Sequence, residues 1–163
     1  MPSDSPYVVL IDGKSGVGKS SLADVIAAHL NATVVHLDDA YPGWGGLDEG
    51  RDAIIESVLA PQSAGLPGRF RAWDWNRNTA GGVITINPAD AIVIEGCGIS
   101  TPRSRELAST VLWVDCPEPE RRQRLLGRDG DVFSSYLAAW DEQVEAHIKQ
   151  HNPIATATAI VRT

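Results

Sequence analysis

The sequence predicts an α/β fold in which helices cover both faces of a parallel sheet. Short apolar segments alternate along the chain with longer segments of helical periodicity, as in repeated strand–helix–strand units. The strand segments are continuously apolar, which is typical of strands that are buried on both faces. At 163 residues, with no linker of biased composition, the chain is expected to form a single domain over residues 1–163.

Six short segments are the predicted strands because they are apolar and rich in Val and Ile. In chain order they are Tyr7–Ile11, Thr33–Leu37, Val83–Ile86, Ala91–Glu95, Val111–Val114 and Ala157–Val161. Ligands of parallel sheets bind beyond the carboxyl ends of the strands. The turns that follow four of these strands are therefore expected to form one site, namely those after Ile11, Leu37, Glu95 and Val114.

Four segments between the strands have apolar residues at helical spacing. In chain order they are Ser20–Leu30, Asp48–Leu59, Pro117–Gly127 and Val132–Gln150. The glycine-rich segment Asp38–Gly46 is predicted to be a loop, and Pro61–Gly68 is expected to end the second helix. The aromatic and charged segment Arg69–Arg77 receives no secondary-structure prediction.

Composition excludes several classes of function. The chain has 14 Lys and Arg against 21 Asp and Glu, a net charge of −7, which argues against general nucleic-acid binding. No apolar run approaches the roughly 18 residues that span a bilayer, and the first residues have no basic, apolar leader, so we expect no membrane partner and a cytoplasmic location. Two cysteines make neither a disulfide framework nor a zinc site, and none of the four histidines is assigned to catalysis.

The strongest motif is the segment GKSGVGKS, which fits the phosphate-binding pattern G-x-x-x-x-G-K-[ST] between a strand and a helix. Its glycines allow backbone N–H groups to point at phosphate oxygens, and the helix N-terminus adds positive charge. Lys19 is expected to reach the β- and γ-phosphates, and the Ser20 hydroxyl to bind Mg²⁺. The predicted nucleotide-binding residues are Gly13, Ser15, Gly16, Val17, Gly18, Lys19, Ser20 and Ser21.

Three carboxylates follow strands at the same predicted edge of the sheet. Asp38 and Asp39 are adjacent after the second strand, and such acids beside a phosphate site would serve as a base for a hydroxyl proton or as a Mg²⁺ ligand through water. Glu95 ends the strand AIVIE and suits the second acidic position of phosphate-loop enzymes. The predicted metal ligands are Ser20, Asp38 and Glu95.

Two arginine-rich segments are expected to face this edge. Arg69–Arg77 holds three Arg and two Trp, which bind planar anions and offer stacking faces. Arg121, Arg124 and Arg128 follow at i, i+3, i+7 spacing, so they lie on one helical face. Because three like charges on one face repel unless an anion shares them, residues 117–131 are predicted to form a lid that clamps phosphate. The alternative is a solvated face paired with Glu118 and Glu120.

Taken in order, these motifs resemble those of uridine kinases and their relatives, the phosphoribulokinases and pantothenate kinases. The segment Asp39–Tyr41 resembles the family's D-x-F-Y turn, and Trp73–Trp75 with Arg77 resembles its Y-D-F segment. VITINPADAIVIEG is similar to the family's strand, Pro-Ala-Asp, strand, Glu-Gly run, and DCPEPERRQRLLGRD resembles its lid. The resemblance covers roughly residues 7–161, but the family's His after Y-D-F is missing.

The resemblance implies a three-layer P-loop NTPase fold with a five-stranded parallel core and a mobile lid. It implies transfer of the γ-phosphate of ATP, with Mg²⁺, to a hydroxyl of a small molecule, with Asp39 as catalytic base. The expected catalytic residues are Asp39, Lys19, Arg121, Arg124 and Arg128. The expected acceptor-binding residues are Asp39, Tyr41, Arg69, Trp73, Asp74 and Arg77. A regulatory ATP-binding protein without an acceptor is the alternative function, and the chain is expected to be a monomer or a homodimer.

Overall fold

The computed structural model describes residues 5–163, except for the side chains of residues 129 and 131–134. The strands of this part are β1 Tyr7–Gly13, β2 Thr33–His36, β3 Gly68–Asp74, β4 Thr79–Ile86, β5 Ala91–Glu95, β6 Thr110–Asp115 and β7 Ala159–Arg162. The helices are α1 Lys19–Leu30, α2 Leu47–Ile54, α3 Ala60–Ser63, α4 Pro102–Glu106 and α5 Glu118–His151. A 3₁₀ turn covers Leu37–Asp39, and a π-helical turn over Ile55–Leu59 joins α2 to α3.

The sheet has five parallel strands in the order β2-β5-β1-β6-β7, as predicted. Its central strand β1 supplies two separate cores because successive side chains of a strand point to opposite faces. Val8 and Leu10 pack with α2 and the π-helical turn on one face, whereas Val9 and Ile11 pack with α1 on the other. Helices therefore cover both faces, and the three-layer α/β architecture is confirmed.

The segment Val83–Ile86 is not a strand of this sheet. It belongs to the longer strand β4, which pairs antiparallel with β3 in a separate two-stranded hairpin. β3 covers most of the segment Arg69–Arg77, for which the sequence made no prediction. The side chains of β4 are exposed or half-buried along its whole length, unlike the fully buried β5. This exposure explains why the hairpin lies outside the central sheet.

The second predicted helix continues through Pro61 rather than ending before it. Proline has no N–H to donate, and its ring clashes with the carbonyl four residues earlier in a regular helix. Here the wider π-helical turn over Ile55–Leu59 precedes Pro61, which then occupies the first turn of α3. Proline is accepted in a first turn because the N–H groups there have no partner within the helix.

α5 folds back on itself, so that the two predicted helices Pro117–Gly127 and Val132–Gln150 lie side by side. Gly130 has φ 59° and ψ −150°, which no α-helix contains. The Nη2 atom of Arg121 lies 2.8 Å from Oδ2 of Asp141, although 20 residues of straight helix would separate them by about 30 Å. Leu125 and Leu137 also pack together. We call this element the α5 hairpin. No helix among residues 5–163 has the length and apolarity that crossing a membrane requires.

Gly127→Ala is expected to stabilise the protein by ~0.5–1 kcal/mol, because glycine loses more backbone freedom than alanine in a helix. Gly127 is exposed in the first half of α5, and a Cβ there would meet no atom of the described residues within 4 Å. Urea unfolding measures the change in the free energy of unfolding. Gly98→Ala is the control of opposite sign, since Gly98 has φ 95° and its Cβ would lie 2.7 Å from Cδ2 of Leu47. A loss of stability in Gly127→Ala would contradict the helical assignment at this position.

Candidate functional site

A cleft of about 790 Å³ opens at the carboxyl edge of the sheet. One side is the phosphate-binding segment that joins β1 to α1. Asp38 reaches the cleft from the turn after β2, and Glu95 and Cys97 reach it from the end of β5. Arg128 of the α5 hairpin also lines it. Three of the four strand ends that the sequence predicted to form one site therefore meet here, and the fourth contributes through α5.

The phosphate-binding segment is held in a tight curve by residues at positive φ. Gly16 has φ 83°, and a Cβ there would lie 2.8 Å from Cγ of Leu125, so only glycine fits. Gly18, at φ 99°, begins α1, so the N–H groups of the first turn face the cleft. The residues of this segment that line the cleft are Ser15, Gly16, Gly18, Lys19, Ser20 and Ser21.

Lys19 is buried at the start of α1, with 8% of its surface exposed. Its Nζ donates to the backbone carbonyl of Lys14 at 2.7 Å. Burial alone would lower the pKa of Lys19, but the acidic groups around it, Cys97 and Glu95 foremost, outweigh burial and hold that pKa above its ordinary value. The Lys19 ammonium is therefore a positive charge held at the cleft. To bind an anion, it has to break one hydrogen bond, to the carbonyl of Lys14.

Glu95 is a buried carboxylate that joins three elements. Its Oε1 accepts hydrogen bonds from Oγ of Ser20 at 2.9 Å and from Nδ1 of His36 at 2.5 Å. Burial alone would raise the pKa of Glu95, but these hydrogen bonds and the charge of Lys19 hold it below its ordinary value. The same hydrogen bond between His36 and Glu95 raises the pKa of His36. The site therefore keeps an ionised carboxylate next to the serine hydroxyl at the start of α1.

The oxygen atoms of Ser20, Glu95 and Asp38 suit a Mg²⁺ ion. Magnesium prefers oxygen ligands, and it is held in phosphate-binding enzymes by one or two side chains together with waters and phosphate. The described residues contain no cluster of three or more His, Cys, Asp or Glu side chains arranged to hold a metal on their own. This donor set therefore fits an ion that arrives with a nucleotide.

The structure separates the two adjacent acids. The 3₁₀ turn Leu37–Asp39 places Asp38 in the wall of the cleft, whereas Asp39 is not among the lining residues. Desolvation at the cleft wall raises the pKa of Asp38, and the negative charge of Glu95 raises it further. The D-x-F-Y pattern places its acid three residues before the tyrosine, and counted from Tyr41 that acid is Asp38. The structure therefore places Asp38, and not Asp39, in the wall of the cleft.

Four aromatic side chains that contact one another also line the cleft: Tyr41, Trp44, Trp75 and Trp140. We call them the aromatic wall. The ring centroid of Trp44 lies 5.1 Å from that of Trp75 and 6.1 Å from that of Trp140, and Tyr41 meets Trp140 edge to face at 4.8 Å. The Tyr41 hydroxyl donates to the Cys97 carbonyl at 2.7 Å, and Nε1 of Trp75 donates to the Asp38 carbonyl at 2.8 Å.

Of the predicted acceptor-binding residues, Tyr41 lines the cleft and five do not. Those five are Asp39, Arg69, Trp73, Asp74 and Arg77. Asp74 instead accepts the backbone N–H groups of Asn76 and Arg77, so it stabilises the turn between β3 and β4. That turn carries Trp75 and Asn76 into the cleft. The predicted segment therefore reaches the cleft through its turn, with Trp75 and Asn76, rather than through the side chains of the strand β3.

Five residues line the cleft without having been predicted as site residues, namely Trp44, Trp75, Asn76, Cys97 and Trp140. A signal existed for the tryptophans, since the chain has five of them and Trp44 stands among glycines in a loop. Large aromatic side chains are seldom placed in such loops unless they contact something. Nothing local distinguishes Trp140, whose position depends on how the α5 hairpin folds back.

The three lid arginines share one face of α5, as their spacing predicts, but only Arg128 lines the cleft. The guanidinium of Arg121 is 1% exposed, pairs with Glu118 and Asp141, and donates to the carbonyl of Ser15 at 3.1 Å. The hydrogen bond to Glu118, and to a smaller extent that to Asp141, raises the pKa of Arg121. Arg124 donates to the carbonyl of Val17 at 3.3 Å. In this structure both arginines therefore bind the backbone of the phosphate-binding segment, contrary to their predicted place in a phosphate clamp.

Comparisons with known proteins agree with the fold. No protein-family model matches the chain, and no curated protein matches its sequence. A possible uridine kinase from Bacillus stearothermophilus superposes with a TM-score of 0.69 at 20% identity, over 96% of this chain and 89% of that one.

Two further solved structures are similar. A gluconokinase from Sinorhizobium meliloti gives a TM-score of 0.55 at 17% identity, over 96% of this chain and 81% of its own. A shikimate kinase from Acinetobacter baumannii gives 0.55 at 15% identity, over 99% and 85%. At such identities the likeness establishes that the chain has the fold of P-loop kinases, as predicted.

Proposed function

We propose that the chain transfers the γ-phosphate of MgATP to a hydroxyl group of a small molecule. The observation that carries this proposal is the composition of one cleft. Lys19 and Ser20 of a phosphate-binding segment lie there with the carboxylates Asp38 and Glu95 and with the aromatic wall. The aromatic wall beside the phosphate-binding residues offers apolar surface to the body of an acceptor. Proteins named as kinases of uridine, gluconate and shikimate share the fold, which supports the same class of reaction.

The nucleotide half of the cleft binds and neutralises phosphate. Backbone N–H groups at the start of α1 and the Lys19 ammonium receive the β- and γ-phosphate oxygens, with Lys19 leaving the carbonyl of Lys14. Ser20 and Glu95 would hold Mg²⁺, and a bound Mg²⁺ would supply positive charge to the phosphates. His36 keeps the carboxylate of Glu95 oriented through its hydrogen bond.

The acceptor half positions a hydroxyl group and removes its proton. Asp38 lies between the phosphate-binding segment and the aromatic wall, and its raised pKa makes it a better proton acceptor than an ordinary aspartate. Trp75 fixes the backbone at Asp38, and Tyr41 fixes the turn after β5. The indole faces supply apolar contact to the body of the acceptor, and the Asn76 amide supplies a polar one.

The α5 hairpin covers the reacting groups. Arg128 lines the cleft, and Arg121 and Arg124 tie the helix to the phosphate-binding segment. A cationic cover of this kind stabilises charge in the transition state and excludes water, which would otherwise accept the phosphate in place of the substrate.

A screen of acceptors tests the proposal. Release of ADP from MgATP is measured with and without nucleosides, sugars, vitamin precursors and hydroxyl-bearing antibiotics, and we expect one class to accelerate it and to appear as a phosphate ester. Lys19→Ala is expected to lower the rate by roughly 10²-fold or more, because it removes a charge from the transition state. Lys14→Ala is the matched control, since that side chain pairs with Glu145 and does not line the cleft. ADP release that no acceptor changes, but that Lys19→Ala abolishes, would instead indicate an ATPase without an acceptor.

A further inference from the structure

Asp12, at the end of β1, is a fully buried carboxylate that the proposed reaction does not use. Its Oδ1 accepts the backbone N–H groups of Gly13 at 2.8 Å and of Gly98 at 2.9 Å. Its Oδ2 accepts the N–H of Ser100 at 3.0 Å and Nε2 of His147 at 2.8 Å. A carboxylate has about four lone-pair positions, so Asp12 uses its whole capacity.

His147 reaches this carboxylate from the second half of α5. Its side chain is 2% exposed, and its other ring nitrogen, Nδ1, is buried without a hydrogen-bond partner among the described residues. The hydrogen bond to Asp12 requires the proton on Nε2, and Nδ1 is left as a buried polar atom without a partner among the described residues. An unsatisfied buried polar atom costs free energy that an apolar side chain would avoid. Packing alone therefore does not account for a histidine at this position.

The groups that Asp12 binds belong to two different walls of the cleft. Gly13 opens the phosphate-binding segment. Gly98 and Ser100 belong to the turn after β5, which begins at the Glu95 carboxylate and includes the Cys97 carbonyl that receives the Tyr41 hydroxyl. One carboxylate thus binds the backbone of the segment that carries Lys19. It also binds the backbone of the turn that follows Glu95 and contacts Tyr41.

We infer that Asp12 and His147 are a positioning pair that holds the phosphate-binding segment and the turn after β5 in register, with His147 tying both to the α5 hairpin. Neither side chain lines the cleft. Their effect on rate rests on the proposed function and acts through Lys19, Glu95 and Tyr41. A misplacement of reacting groups by about 1 Å lowers rates by up to roughly 10²-fold.

Two substitutions of His147 separate positioning from packing. His147→Phe keeps an aromatic ring but removes the donor, whereas His147→Gln keeps a terminal N–H that can reach Asp12. The first readout is amide hydrogen exchange, followed by NMR on the nucleotide-free protein, at Gly98 and Ser100. We expect exchange at these amides to accelerate in His147→Phe and to remain near the wild-type rate in His147→Gln. Wild-type protein is expected to show a slowly exchanging imidazole Nε2 proton, which both variants lack.

The second readout is kinetic, with the acceptor that the screen identifies. We expect kcat to fall by roughly 10-fold to 10²-fold in His147→Phe, with little change in KM for ATP and with recovery in His147→Gln. Unchanged exchange at Gly98 and Ser100 in His147→Phe, with a lower melting temperature as its only effect, would overturn the inference.

A third variant keeps the inference testable if His147→Phe does not fold. Asp12→Asn presents an NH₂ group to N–H donors, and we expect it to accelerate exchange at the same amides more than His147→Phe would. Wild-type exchange rates at Gly98 and Ser100 in Asp12→Asn would overturn the inference. The exchange measurement needs neither nucleotide nor acceptor, so it decides the positioning role even if the screen finds no acceptor and the proposed function fails.

Discussion

Asp38→Asn is expected to lower kcat by roughly 10²-fold to 10⁴-fold, the usual contribution of a general base. The asparagine keeps the shape of the side chain but cannot accept the hydroxyl proton. Only the ionised carboxylate is a base, and desolvation in the cleft together with the charge of Glu95 raises the pKa of Asp38. As the pH is lowered, wild-type activity should therefore begin to fall at a higher pH than an ordinary aspartate would give. Initial rates across pH, at saturating MgATP and acceptor, measure both effects.

Asp39→Asn is the matched comparison, because it makes the same change one residue later on a side chain that does not line the cleft. Its kcat should stay within a few-fold of wild type. A Mg²⁺ titration of Asp38→Asn distinguishes the base from a metal ligand: loss of the base persists at saturating Mg²⁺, whereas loss of a ligand is recovered there. If Asp39→Asn were the inactive variant, the register taken from Tyr41 would be wrong.

Arg121→Ala is expected to have the largest effect on stability, a loss of about 3 kcal/mol in the free energy of unfolding. Removing one member of a buried ion pair costs roughly 3–5 kcal/mol, because the partner charge stays buried and unpaired. The lower end applies here, since the side chains of Glu118 and Asp141 are 48% and 20% exposed. For a protein of this size the melting temperature should fall by roughly 2–4 °C for each kcal/mol.

Arg122→Ala provides the control, because Arg122 is the next residue and pairs with the same Glu118 from an exposed position. Exposed pairs contribute roughly 0–1 kcal/mol, so this variant should unfold close to the wild-type denaturant concentration. Comparable losses in the two variants would mean that Arg121 does not brace the α5 hairpin. Activity measured well below the melting temperature then shows whether Arg121 also acts in phosphoryl transfer.

The central fold could be predicted from the sequence because its signals are local. A strand buried on both faces must be apolar throughout, which made the strands β1, β5 and β6 readable. The hairpin of β3 and β4 could not be found in the same way. Val83–Ile86 of β4 shows the pattern, but its partner β3 is charged and aromatic and does not, so the pairing could not be predicted. The continuation of a helix through Pro61 depends on a π-helical turn that the sequence does not signal.

Residues that line the cleft could be predicted where they belong to one motif, and not where two distant segments meet. The phosphate-binding segment, Asp38, Glu95 and Tyr41 could be predicted because each directly follows a strand or belongs to a fixed spacing. The ion pair of Arg121 could not be predicted. Its partner Asp141 lies 20 residues away and approaches only because α5 reverses at Gly130. Sequence spacing along a helix assumes a straight helix, and that assumption fails here.

The contact between Asp12 and His147 has a consequence for the order of folding. The two residues are 135 positions apart. A carboxylate of the strand β1 thus receives one of its hydrogen bonds from the helix α5, which is synthesised much later. Until that helix docks, the Asp12 carboxylate lacks one hydrogen-bond donor, and the two loops that it binds are not yet linked to α5. Contacts of such long range form late, because closing a large loop costs entropy before the contact repays it. The four sheet strands that precede α5 could therefore form before the phosphate site is competent, and we expect nucleotide to bind well only after the second half of α5 has docked.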